Sequence, residues 1–190
     1  EFDGLVERAV SAHPDNPSLL TSAAEVYQRA PHSGRIVAGE FERDGARGMG
    51  GFRGSDDSTA TGQPVNTEYR DHIRSLQLLR DAVSKKGSLA EGCLAWREIA
   101  SVFMQNEAWK LQTLTPLGVL PEWGEPGPDG GTEGAPWKGD APVIYDVPTS
   151  WDAAINDGQR WRFALAEQIR LSTEETMKDV MISERARFSR

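Results

Sequence analysis

Cys93 is the only thiol in the chain. A thiol nucleophile needs an electropositive, partly exposed setting with a base close by. Cys93 falls instead on the apolar stripe of a helical pattern, with no histidine within reach along it, so it reads as a structural, buried cysteine. The three histidines are scattered: His13 in a Pro/Asn turn, His32 just after a proline, and His72 one position off an apolar helical stripe. Neither H-x-x-x-H nor C-x-x-C spacing occurs, so no zinc site is expected, and turn, cap or surface roles are read for all three.

Other chemistries lack their spacing as well. The glycine-flanked serines Ser33 and Ser55 do not sit in G-x-S-x-G, and no strand is read before them. No glycine precedes a Lys-Ser or Lys-Thr pair, which removes the phosphate-binding loop. Asp56-Asp57 and Glu174-Glu175 read as a solvated loop and a helix first turn. The stretch from Asp129 to Glu133 lacks the alternating acidic ligands of a calcium loop. Arg47-Gly48 and Arg53-Gly54 have the form of RNA-binding arginine-glycine segments, but two copies beside Asp56-Asp57 read as a flexible loop. The acid–base arrangement that could still be built uses His32, Glu40 and Glu42, which would have to converge on one substrate. The expectation is no catalytic, cofactor-binding or metal-ligating residue, and not an enzyme.

The elements that would position these residues are helical. Leu5, Val6, Ala9 and Val10 fall on one face of a helix over 3 to about 12. A turn at His13-Pro14-Asp15-Asn16 follows, with Asn16 as N-cap and Pro17 at the first position of a helix to about 30. That helix aligns Leu20, Ala23, Ala24 and Tyr27. A helix over about 67 to 86 carries Tyr69, Ile73, Leu76, Leu79 and Val83, and Gly87 ends it. Ser88 and Glu91 form a capping box that opens a helix to about 106, striped by Leu89, Cys93, Trp96, Ile99 or Ala100, and Phe103. These two helices are expected to be antiparallel neighbours. The last helical region opens near Thr149 or Ser150, with Trp151, Ile155, Trp161, Leu165 and Ile169 on its face. A second capping box, Ser172 and Glu175, is read as starting a terminal helix with Met177, Val180 and Met181.

Between these lie two glycine- and proline-rich insertions, at about 43–64, read as a long mobile loop, and 115–148, in which only Val143-Ile144-Tyr145 looks extended. Trp123 and Trp137 in the second are read as pins holding the loop to the body, and Trp96, Trp151 and Trp161 as core residues. The fold class expected is therefore all-α: a single helical domain over 1–190 of tetratricopeptide-like hairpins with two long loops. No clean repeat of about 34 residues accompanies it.

Composition agrees with an ordinary domain. The chain has 190 residues, 21 basic against 29 acidic, and a net charge of −8; mean hydropathy is −0.53. The acidic balance disfavours a nucleic-acid partner, and no apolar run of about 18 residues would insert into a membrane. The chain opens at Glu1-Phe2-Asp3 without a leader pattern and ends within a helical one, so it is read as an excerpt of a longer protein.

Four stretches together resemble the amino-terminal helical region of large bacterial alpha-2-macroglobulin-like proteins. They are AHPDNPSLLTSAAEVYQRAPHSGRIVAGEFERDGARG (12–48), EYRDHIRSLQLLRDAV (68–83), LQTLTPLGVLPEW (111–123) and VIYDVPTSWDAAINDGQRWRFALAEQ (143–168). Asn156-Asp157-Gly158-x-Arg160-Trp161-Arg162 is the most distinctive late motif, and the chain departs at Ser33 and Arg35, where aromatic residues are expected. The resemblance implies a bacterial envelope, periplasmic or extracellular endopeptidase inhibitor. This chain would be a non-catalytic protein-contact module of it, its partner being other domains of the parent chain or an envelope protein. The family's C-x-E-Q thioester is not carried, since Cys93 is followed by Leu94-Ala95-Trp96. The alternative reading is an independent tetratricopeptide-like peptide-binding adaptor, with a groove lined by the helices at 17–30 and 67–83.

Overall fold

The structure, a computed structural model, describes residues 2–44, 62–104, 111, 113–127, 137–138, 141–142 and 147–188. Five helices carry it: α1 (Phe2–Ala12), α2 (Pro17–Arg29), α3 (Glu68–Ser84), α4 (Leu89–Met104) and α5 (Asp157–Phe188). Asn16 caps α2 as expected, its side chain accepting from the Leu19 amide at 3.0 Å. The Ser88–Glu91 box closes in both directions: the Ser88 amide donates to Glu91 Oε2 at 2.8 Å, and the Glu91 amide to Ser88 Oγ at 3.2 Å. These caps satisfy backbone donors that the first turns leave open.

The fold is not all-α. Three strands lie between α2 and α3: β1 (Ser33–Val37), β2 (Glu40–Arg43) and β3 (Gln63–Asn66), forming an antiparallel sheet in the order β2-β1-β3. The expected insertion at 43–64 thus begins and ends in strand. The β1–β2 hairpin turns through Ala38 and Gly39, with φ of 52° and 86°. Positive φ at both central positions is the mirror-image turn whose twist matches paired strands. Gly34 is buried beneath Phe41: a Cβ there would lie 2.4 Å from the Phe41 ring and from the Glu42 carbonyl oxygen. Two further short strands, β4 (Trp137–Lys138) and β5 (Ala141–Pro142), pair antiparallel. Val143-Ile144-Tyr145 lies outside the described residues, as do 45–61.

The core is the packing of α2 on α3, α3 on α4 and α4 on α5. Leu20, Ala24, Ile73, Leu76, Leu79, Ile99 and Phe103 are buried in it. Each of the leucine, isoleucine and phenylalanine side chains among them contributes roughly 1.5–3 kcal/mol of transfer free energy. α4 and α5 run antiparallel, since Gly92 meets Leu171, Cys93 meets Gln168 and Trp96 meets Phe163. Trp96 also packs on Trp151, with ring centroids 5.8 Å apart.

Three details of the helical reading are corrected. Leu5, Ile155 and Ile169, expected on apolar inner faces, are exposed. The last helical region is split: a 3-10 turn, Trp151–Ala153, capped by Ser150, precedes α5. The Ser172–Glu175 box starts nothing, because α5 runs through it unbroken. Within α5 the Thr173 and Thr176 hydroxyls donate to carbonyls four residues back, so short polar side chains here serve the helix interior and not a cap.

Candidate functional site

Among the described residues the densest gathering of chemistry-bearing side chains lies where β2, α1 and the start of α3 meet. Alternation along β2 turns Arg43 inward while Glu42 stays exposed. The Arg43 guanidinium is almost wholly buried and donates to Asp71 at 2.7 and 2.9 Å. It also reaches Asp3 at 2.5 and 3.2 Å, the Pro31 carbonyl at 2.7 Å and Thr67 Oγ1 at 3.1 Å. Asp71, on the first turn of α3, further accepts from Thr67 Oγ1 at 2.7 Å and lies 2.9 Å from His32 Nδ1. The rings of Phe2 and Phe41 lie 5.4 and 5.3 Å from the guanidinium carbon. Burial alone would lower the Arg43 pKa, but the hydrogen bonds and charges of Asp71 and Asp3 outweigh it and push it above its ordinary value.

A second cluster sits beside the first. Glu7 accepts from Arg74 at 2.6 and 2.8 Å and from the Tyr27 hydroxyl at 2.8 Å. Burial would raise the Glu7 pKa, yet the hydrogen bonds from Arg74 and Tyr27 and the charges of Arg74 and Arg70 hold it below the ordinary value. Tyr27 is driven up by burial and by the Glu7 carboxylate. A third cluster joins the start of α5 to the 113–117 segment. Asp157 accepts from the Thr115 amide and hydroxyl and from Arg160, while its own amide donates to the Thr113 carbonyl at 2.8 Å. Here burial wins on both partners: the Asp157 pKa is raised and the Arg160 pKa lowered.

Chemically these are charge-compensated struts. His32, Glu40 and Glu42 do not converge: His32 is tied to Asp71 on the Arg43 side of β2, whereas Glu40 and Glu42 are exposed on the alternate face. His13 is exposed in its turn, and Cys93 is half-buried with its thiol 3.7 Å from the Gln168 carbonyl. Ser33 lies exposed on β1. Arg47, Arg53, Ser55, Asp56, Asp57, Asp129 and Glu133 lie outside the described residues. Among the described residues no group of three or more His, Cys, Asp or Glu could hold a metal ion, and no helix is long and apolar enough to cross a membrane.

Trp123 holds its loop to the body. It stacks on Phe41 at 4.1 Å, and the Arg70 guanidinium carbon lies 4.0 Å from the same ring centroid. Two groups so close to one ring must occupy opposite faces. Arg70 also donates to the Pro121 carbonyl, and Gly124 and Gly127 abut Val65 and Tyr69, so residues 121–127 lie across β3 and the start of α3.

Sequence reasoning passed over Arg43, Asp71, Asp3, Glu7 and Arg74 as site residues. The available signal was the alternation Phe41-x-Arg43 opposite Gly34, with Asp71 four residues after Thr67 on a helix first turn. No family model, no curated protein and no solved structure matches the chain.

Proposed function

We propose that the chain is a non-catalytic protein-contact module. The observation that supports this reading is the course of α5. Its first half is packed against α4 as far as Leu171, and from Ser172 to Asp179 no side chain is buried. The helix nevertheless continues to Phe188, about 25 Å of further rod at 1.5 Å per residue. Met177 stands largely exposed on it, and an isolated helix of that length is marginal in water. Such a rod gains stability when another protein surface covers it. The charged groups of the body support the same reading, because they are spent on internal struts.

The resemblance to alpha-2-macroglobulin-like proteins supplies the finer proposal, that the partner surface belongs to the parent chain of an envelope or secreted endopeptidase inhibitor. It rests on the four stretches quoted from the sequence. The adaptor reading loses its groove: the faces of α2 and α3 that would line it are buried against one another, with Ser75 Oγ bonded to the Ala24 carbonyl at 3.1 Å.

Hydrogen exchange tests the proposal. The amides of 172–188 are expected to exchange fast in the 190-residue chain and to become protected in the protein encoded by the complete reading frame. Equal, fast exchange in both would refute the contact role of α5. Turnover of substrate by the 190-residue chain in a hydrolase screen would refute the non-catalytic reading.

A further inference from the structure

α1 is attached differently from every other helix. It contributes no fully buried residue, whereas α2 and α3 bury whole faces. What holds it is a matched pair of charges. Asp3 and Glu7, one helical turn apart on the same face, are each gripped by a two-pronged guanidinium, from Arg43 and Arg74. Beside them Phe2 meets the Tyr27 ring edge-on at 6.4 Å, and Val6 and Val10 rest on the core. The seat belongs to other elements: Tyr27 of α2, Arg43 of β2 and Arg74 of α3, with the charge of Arg70 also acting on Glu7. Its connection to α2 is the exposed four-residue turn His13–Asn16.

We propose that this seat is a docking surface for an acidic amphipathic helix of a partner protein, with α1 as its resident, exchangeable occupant. The ligand it fits carries an aromatic residue followed at once by a carboxylate, then an aliphatic-acid pair four residues on and a further aliphatic four after that. α1 writes this pattern as Phe2-Asp3, Val6-Glu7 and Val10. Charge complementarity selects the ligand: with the seat empty Arg43 keeps Asp71, but Arg74 loses Glu7, so a neutral or basic helix leaves the Arg74 guanidinium without its carboxylate. An eleven-residue helix is marginal alone, so α1 is helical because it is seated, and release disorders it at small cost to the core. This inference is independent of the proposed role of α5.

Two measurements on the full chain test it. In the wild type, α1 amides are expected to exchange at least about tenfold faster than those of α2 and α3, and faster still as salt is raised. In a folded Asp3→Asn, Glu7→Gln variant, a labelled peptide of residues 2–12 is expected to bind saturably. Adding Arg74→Glu is expected to weaken that binding at least about tenfold. Exchange of α1 at the rate of the core would overturn the proposal in the wild type alone. So would failure of the peptide to bind the folded double variant, or binding that Arg74→Glu leaves unchanged.

Discussion

Asp71 shows how a single carboxylate can organise a junction. It is buried and shared by Arg43, Thr67 and His32, so its removal leaves the Arg43 cation enclosed with Asp3 as its one remaining carboxylate among the described residues. Asp71→Ala is expected to cost about 3–5 kcal/mol in urea unfolding, the usual penalty for half of a buried ion pair. Replacing both partners, Arg43→Met with Asp71→Leu, is expected to cost less than the single change. Glu7 and Asp157 make opposite contributions to the pH profile. Glu7 is held below its ordinary 4.5, so its stabilising effect is fully present above that value and disappears as pH falls through the folded-state pKa. Asp157 is raised above 3.8 by burial, so the folded state binds the extra proton, and stability falls as pH rises from 3.8 through the raised value. Thermal melts across this acid range are expected to show Glu7→Gln flattening the first limb and Asp157→Asn the second.

At the scale of elements the β1–β2 hairpin carries the main correction, and its turn explains why it was hidden. Two-residue hairpins announce themselves through Asn-Gly or Asp-Gly, which adopt positive φ cheaply; here Ala38 takes that conformation beside Gly39. An alanine there costs roughly 1–2 kcal/mol, because its Cβ crowds the following carbonyl. Ala38→Asn is therefore expected to stabilise the chain by roughly 0.5–1 kcal/mol, read as a rise in melting temperature of roughly 1–4 °C. Gly34 and Pro64 further weaken the strand pattern in β1 and β3, since glycine and proline are usually poor strand residues. Gly34 is explained only by what lies across the sheet, the Phe41 ring, and Pro64 by the outer position of β3 in the order β2-β1-β3. The helices were legible because each carries its own signal: the Asn16 cap, the Ser88 box, the Ile73-Leu76-Leu79 stripe. The ion-pair junction was not, because Asp3, Arg43 and Asp71 are far apart along the chain and meet only after the sheet turns Arg43 inward.

For the molecule as a whole, α5 has a first half packed on the body and a continuation, a rod, whose side chains from Ser172 to Asp179 are not buried. Up to Leu171 its side chains complete the α4 interface, and Ala164 and Leu171 are buried there. Past that point the helix is held by ion pairs along its own surface, such as Arg170 with Glu174 and Lys178 with Glu174. Exposed pairs of this kind contribute about 0.3–0.5 kcal/mol each in a helix. Removing residues 174–190 is therefore expected to leave the urea midpoint of the body unchanged within error, while helical signal is lost in proportion to the residues removed. Leu171→Ala, by contrast, opens a cavity against Gly92 and is expected to cost about 2–4 kcal/mol. The two measurements separate the parts: a truncation that lowers the midpoint as far as Leu171→Ala does would mean that the rod is packed onto the body, leaving no free surface for a partner.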